Sequence, residues 1–190
     1  MSDQVKTGGR TAAADGGTLI WSVAEGLRGR RWREAVTEDG RLRRSLLLEV
    51  SPGGLPSRLE LTSAVGLLTA HPDRDGRELH GNVVTATGVR HLRFDWSSEH
   101  ELLVIASPAT AAVALRHYTD IVAVEETRTI PVVWIDETLE PRAGAWQVIR
   151  TGPDGWLLRD PDGTDAPAVH LDEDGLPVLP GADRWPLERG

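Results

Sequence analysis

Apolar and polar residues alternate with a period of two over much of the chain. Leu42–Val50 sets Leu42, Arg44, Leu46, Leu48 and Val50 on one face and Arg43, Ser45, Leu47 and Glu49 on the other. Leu59 and Leu61 oppose Arg58 and Glu60, while Leu92, Phe94 and Trp96 oppose His91, Arg93 and Asp95. Side chains of a strand point alternately to two faces, so the pattern predicts antiparallel sheet with one face packed and one polar. Further short runs predict strands at Thr18–Val23, Arg30–Thr37, Leu67–Ala70, Asn82–Ala86, Leu102–Ala106, Ile121–Val124, Ile130–Ile135, Ala145–Arg150, Trp156–Arg159 and Val169–Asp172. Turn chemistry separates them: Asp39-Gly40, Pro52-Gly53-Gly54, Asp75-Gly76, Asp154-Gly155, Asp162-Gly163 and Asp174-Gly175. Glycine takes the positive φ that tight turns need at no steric cost.

One segment reads differently. In Pro108–Tyr118, Ser107 can cap, Pro108 suits a first helical turn, and an alanine-rich run follows. It reads as a helix or as a loop running into a strand. Residues 1–17 are polar and rich in Gly and Ala, which predicts a disordered lead-in. Residues 176–190 carry several prolines and are expected to wrap the surface. The predicted fold is mostly β: one domain over residues 18–190, a strongly curved antiparallel sheet or partly open barrel with one or two short helices.

The size of the chain, 190 residues, suits one such domain. Charge changes the picture more. A net charge of −8 argues against a nucleic-acid partner, which needs a Lys/Arg surface to displace counterions. There is no cysteine, which excludes disulfides, thiolate-bound metals and cysteine nucleophiles and fits a reducing cytoplasm. No apolar run approaches the roughly 18 residues of a membrane-spanning helix, so no integral membrane segment is expected.

Candidate chemistry is sparse. The histidines are scattered, without a close pair of ligand spacing, so neither a metal nor another cofactor is indicated. No Gly-x-Ser-x-Gly elbow and no phosphate-binding glycine loop is present, and no catalytic residue is assigned. His91 stands out because it shares a polar strand face with Arg93 and Asp95. Such faces, with Glu49, Glu60, Arg43 and Arg58, read either as an exposed surface of cross-strand ion pairs or as the lining of a barrel. Aromatic usage is skewed: 7 Trp against 1 Tyr and 1 Phe. Trp96 and Trp134, within predicted strands, serve either as core or as the wall of a cavity.

The order of several short motifs resembles a bacterial glycolipid-binding family. They are Leu92-Arg93-Phe94-Asp95-Trp96, Ser107-Pro108-Ala109-Thr110 with Val113-Ala114-Leu115-Arg116, the strand Val132-Val133-Trp134-Ile135, and Asp172-Glu173-Asp174-Gly175-Leu176. The resemblance covers about residues 75–180. It departs at Ala111-Ala112, where the family has Asn-Thr, and at His117, where it has a second arginine. The resemblance implies a barrel-like antiparallel sheet, similar to lipoprotein-carrier folds, that holds a lipid-like ligand. Arg116 falls on one of the family's two arginines.

The expected function is therefore non-catalytic binding of an amphipathic small molecule or glycolipid in a curved-sheet cavity. The candidate ligand residues are Arg93, Asp95, Arg116, His91, Trp96 and Trp134. The alternatives are an enzyme using Arg93, Asp95, His91 and His117 as acid–base groups in the same cavity, or a protein-interaction module. Arg116 has a rival role as the partner of a structural acid, Asp95 or Glu126.

Overall fold

The structure is a computed structural model. It describes residues 5–14, 16–164, 168–179, 181 and 183–189, with residues 5–6 and 183–189 as backbone. The protein is mostly β, with one large curled half-barrel sheet and, among the described residues, one helix. Eight consecutive strands form an antiparallel meander: β1 (Val5–Ala12), β2 (Thr18–Gly26), β3 (Gly29–Glu38), β4 (Arg41–Val50), β5 (Pro56–Ser63), β6 (Gly66–Pro72), β7 (Glu78–Thr85) and β8 (Gly88–Asp95). A smaller sheet follows from β9 (Glu101–Val104), β10 (Thr127–Ile135), β11 (Pro141–Arg150), β12 (Gly155–Arg159) and β13 (Val169–His170). The last strand, β14 (Asp183–Arg189), returns to the large sheet beside β1. Among the described residues no helix is long and apolar enough to cross a membrane.

The alternation holds along most of the strands, although Leu42 at the start of β4 is exposed rather than packed. Trp21, Trp32, Leu48, Leu59, Leu61 and Leu68 face inward and are almost fully buried. The opposite face carries the ion pairs: Arg31 reaches Glu49 across the strands at 2.9 Å, Arg58 meets Glu60, and Arg43 lies 3.5 Å from Glu137. Arg43, Arg58, Glu49 and Glu60 thus lie on an outer surface and line no barrel. Both residues of the β3–β4 turn, Asp39 and Gly40, take positive φ, which matches the twist of a tight hairpin.

Four sequence expectations are corrected. Part of residues 1–17 is ordered: β1 pairs with β2 over eight residues, from Val5↔Glu25 to Ala12↔Thr18. Its two adjacent glycines hide a strand that satisfies the backbone groups along the edge of β2. Residues 1–4 and 15 of that segment lie outside the described residues. At the other end, residues 183–189 form β14 against β1. Ile121–Val124 is a turn, because the Val122 N–H bonds back to the Tyr118 carbonyl at 2.9 Å and continues the helix end. Finally, β9 pairs parallel with β10, the connection between them carrying the helix.

That helix, α1 (Pro108–Tyr118), settles the ambiguous segment. The Ser107 side chain accepts from the Thr110 N–H at 3.3 Å, and Pro108 occupies the first turn, where no intrahelical donor is lost. Residues Ala109 to Leu115 are all buried. Small alanines let the helix backbone approach the sheets closely. Arg116 and His117 are the first side chains of the helix to emerge, and their charge suits its C-terminal end.

Candidate functional site

The two ends of α1 meet the large sheet in different ways. At its start, two charged residues of the inner face reach the β9–α1 connection. The Ala109 N–H donates to Glu34 Oε1 at 2.7 Å. Arg44 donates from both terminal nitrogens, to the carbonyls of Ile105 and Ala106, each at 2.9 Å. Glu34 and Arg44 are 4% and 6% exposed. They sit on neighbouring strands β3 and β4, where Val36 pairs with Arg44 and Glu34 with Leu46. Ala106 is held at φ 59, a left-handed conformation that the two Arg44 bonds stabilise.

At the end of α1 there is open space. A cleft of about 410 Å³ lies between the β2–β3 hairpin, the β4–β5 connection and the last turns of the helix. Its apolar lining is Trp32, Val50, Ala112 and Val113. Its charged lining is Glu25, Arg30, Arg116 and His117. Gly29 shapes the rim: it has φ +100, and a Cβ there would stand 2.0 Å from the Val50 carbonyl oxygen. Only glycine lets β3 come that close to the end of β4. The indole N–H of Trp32 has no acceptor among the described residues. Beside the cleft, Leu27 at the hairpin tip is 82% exposed.

Two guanidinium groups converge on one backbone oxygen. Arg30 is mostly buried, pairs with Glu25 at 2.7 Å, and donates to the Asp174 carbonyl at 3.1 and 3.2 Å. Arg116 donates to the same carbonyl at 3.4 Å, and among the described residues it forms no ion pair. Loss of solvent and the charge of Arg30 both draw the Arg116 pKa below its ordinary value. Gly175, at φ +70, gives that side chain room: a Cβ there would lie 3.0 Å from Arg116 Cδ.

His117 completes the rim. Its Nδ1 lies 2.8 Å from Glu101 Oε1, and the Glu101 side chain is 1% exposed. Burial pushes the Glu101 carboxyl up to about 7. The hydrogen bond to Glu101 raises the His117 pKa. Tyr118 beside it is pushed up to about 12, chiefly by burial.

Of the residues expected from sequence to bind ligand, only Arg116 lines this cleft. His91 is exposed on β8 and bonds Asn82 at 2.7 Å. Arg93 is exposed and pairs with Glu78, its Nε at 2.9 Å. Asp95, at the end of β8, is exposed as well. All three alternate outward because Leu92, between His91 and Arg93, points into the core. Trp96 is buried with its ring 5.3 Å from that of His100. Trp134 is half-buried, covered by Arg142 at 4.9 Å and 6.3 Å from Trp146. Neither Asp95 nor Glu126 pairs with Arg116: Glu126 instead accepts from the Ala123 N–H at 2.8 Å. Sequence reasoning missed Arg30, Glu34 and Glu101. The signal for Glu34 was there, an acid midway between Trp32 and Val36 on the inward register.

The outer face also groups Asp73, Glu78 and His80 within 4.8 Å. Their charges are matched locally. Glu78 lies between Arg93 and His80, and Asp73 accepts from the N–H groups of Arg77 and Glu78.

No family model matches the chain, and no curated protein does. Among solved structures, it is similar to a DUF1089 family protein from Pseudomonas aeruginosa, with 17% identity and a TM-score of 0.46 over 86% of this chain and 89% of that one.

Proposed function

We propose that the chain is a binding protein for an amphipathic small molecule, seated in the cleft at the end of α1. The observation that carries this reading is the two-sidedness of the cleft, with Trp32, Val50, Ala112 and Val113 on one part and Arg30, Arg116 and His117 on the other. A lipid-like ligand matches such a lining, its tail on the apolar wall and over exposed Leu27, its head group on the charged side. The motif resemblance to the glycolipid-binding family supports the same class of ligand and rests most heavily on Arg116. A chain without cysteine suits the cytoplasm as its place of action. The ligand is bound at the rim of the half-barrel rather than inside it, because the concave face is filled by core side chains.

Tryptophan emission tests this directly, since Trp32 lines the cleft. A bacterial lipid extract or a short-chain amphiphile should shift the emission and raise the melting temperature. A ligand at a hundredfold its Kd stabilises by about 2.7 kcal/mol. Trp32→Phe should remove most of the spectral response. A native protein that gives neither an emission shift nor a thermal shift with any extract contradicts the reading.

One observation favours a second reading, acid–base catalysis: the 2.8 Å bond from His117 to a buried carboxylate at the edge of a cleft. In that case His117→Asn should abolish turnover of a small ester substrate while leaving its binding intact. Absence of turnover by the native protein across simple carboxylate and phosphate esters removes this reading.

A further inference from the structure

The cleft is positively charged in a protein that is not. The chain carries −8 overall, yet the cleft lining sets two arginines and a histidine against one carboxylate, Glu25. That carboxylate is engaged by Arg30 at 2.7 Å. Arg116 forms no ion pair among the described residues, although Glu25 and Asp174 lie close enough to act on its charge. Its hydrogen bond among the described residues is long, 3.4 Å, and goes to a carbonyl oxygen that already accepts two bonds from Arg30. Two like charges sharing one neutral acceptor repel each other. An anion between them would relieve that repulsion and gain charge-assisted bonds from both forks. The lowered pKa of Arg116 has the same origin, in the nearby Arg30 charge and lost solvent.

From this geometry we infer that the head group taken by the cleft is an anion, a phosphate or carboxylate, held chiefly by Arg116 with Arg30 as the second fork. This rests on the binding reading above and narrows it. A neutral sugar head group would bring no counter-charge between Arg116 and Arg30. A phosphorylated or carboxylated amphiphile, or a free phosphate ester, supplies one. Arg116 is exposed to solvent at the cleft, so the ligand can reach it without opening the fold. Gly175 keeps the approach open, because any side chain there would press on Arg116 Cδ.

The experiment titrates the native protein with three probes: inorganic phosphate, phosphatidylcholine vesicles with or without phosphatidic acid, and the neutral detergent dodecyl maltoside. Tryptophan emission and thermal shift are read in each. Arg116→Lys and Arg116→Met are compared with Arg93→Met, which lies on the outer face. Phosphate, or vesicles containing phosphatidic acid, should bind the native protein. Arg116→Met should weaken that binding at least tenfold, Arg116→Lys should weaken it less, and Arg93→Met should leave it unchanged. Binding of free phosphate with no added effect of vesicles supports the anion site and excludes a membrane source. Binding that needs the vesicle supports the anion site on a lipid. Dodecyl maltoside binding as well as the anionic probes, and unaffected by Arg116→Met, overturns the anion inference and leaves the amphiphile reading standing. No binding of any probe overturns both.

Discussion

Helix α1 is held at one end, by Glu34 of β3 and Arg44 of β4, and open at the other, where Glu25 of β2 and Arg30 of β3 face its own Arg116. At the start, Glu34 and Arg44 are buried and bond to the backbone at 105–109. At the end, Arg30 is committed to Glu25 and Asp174, but Arg116 is exposed and weakly bonded. The difference teaches how to read a charged residue near a core. A buried ion with short bonds to backbone fixes a loop, whereas a cation in a cleft with only one long bond has capacity left for a ligand.

The sharpest way to break the first half of this comparison is Arg44→Met. It leaves the carbonyls of Ile105 and Ala106 without their charged donor, and should cost about 3 kcal/mol or more. Calorimetry should show the melting temperature falling by roughly 6 °C or more, with no ligand present. A loss under about 1 kcal/mol would show that the loop is held by something else.

The pair Glu101–His117 gives a smaller, pH-dependent effect. Its folded-state pKa values are raised, Glu101 from 4.5 to about 7, so the folded chain keeps protons that the unfolded chain has released. Stability should therefore fall as pH rises from about 4.5 through 7. Glu101→Gln, which keeps the shape and removes the charge, should flatten that fall. Urea midpoints measured across this range for both proteins check it, and equal slopes would contradict the assignment.

Gly175→Ala sharpens the second half. A left-handed backbone costs a residue with a Cβ about 1 kcal/mol, and this Cβ presses on Arg116 Cδ. Stability should drop slightly and ligand affinity several-fold, a split seen by pairing thermal melts with titration. Smallest of all, Arg93→Ala should leave the melting temperature and the binding unaltered, because its exposed pair with Glu78 is worth little.

Much of the fold was legible because the period-two alternation reports burial directly. It placed Leu59 and Leu61 inward and Arg58 and Glu60 outward, and the Ser107-Pro108 start of α1 was readable from capping chemistry. Strand β1 was not, since Gly8-Gly9 carries no side-chain pattern, and Ile121–Val124 imitates a strand with residues that in fact close the helix. The alternation also put Arg44 on the apolar face, but nothing in it shows that Arg44 spans to Ile105. The cleft was the least legible feature. It is assembled from residues near 25–32, 50–54, 112–117 and 175, which no local pattern joins. Arg116 was found through its motif, while Arg93 and His91 were drawn in by a polar face that proves to be the outside.

The most direct test of the account is where the ligand lands. Glycine amides fall in their own region of a ¹H–¹⁵N correlation spectrum, and Gly26, Gly29, Gly53, Gly54 and Gly175 all line the cleft. Titration with a short-chain phosphorylated amphiphile should move those five together while Gly88, at the start of β8 on the far edge of the large sheet, stays fixed. Shifts confined to β7 and β8 around Arg93, with the cleft glycines unmoved, would contradict it.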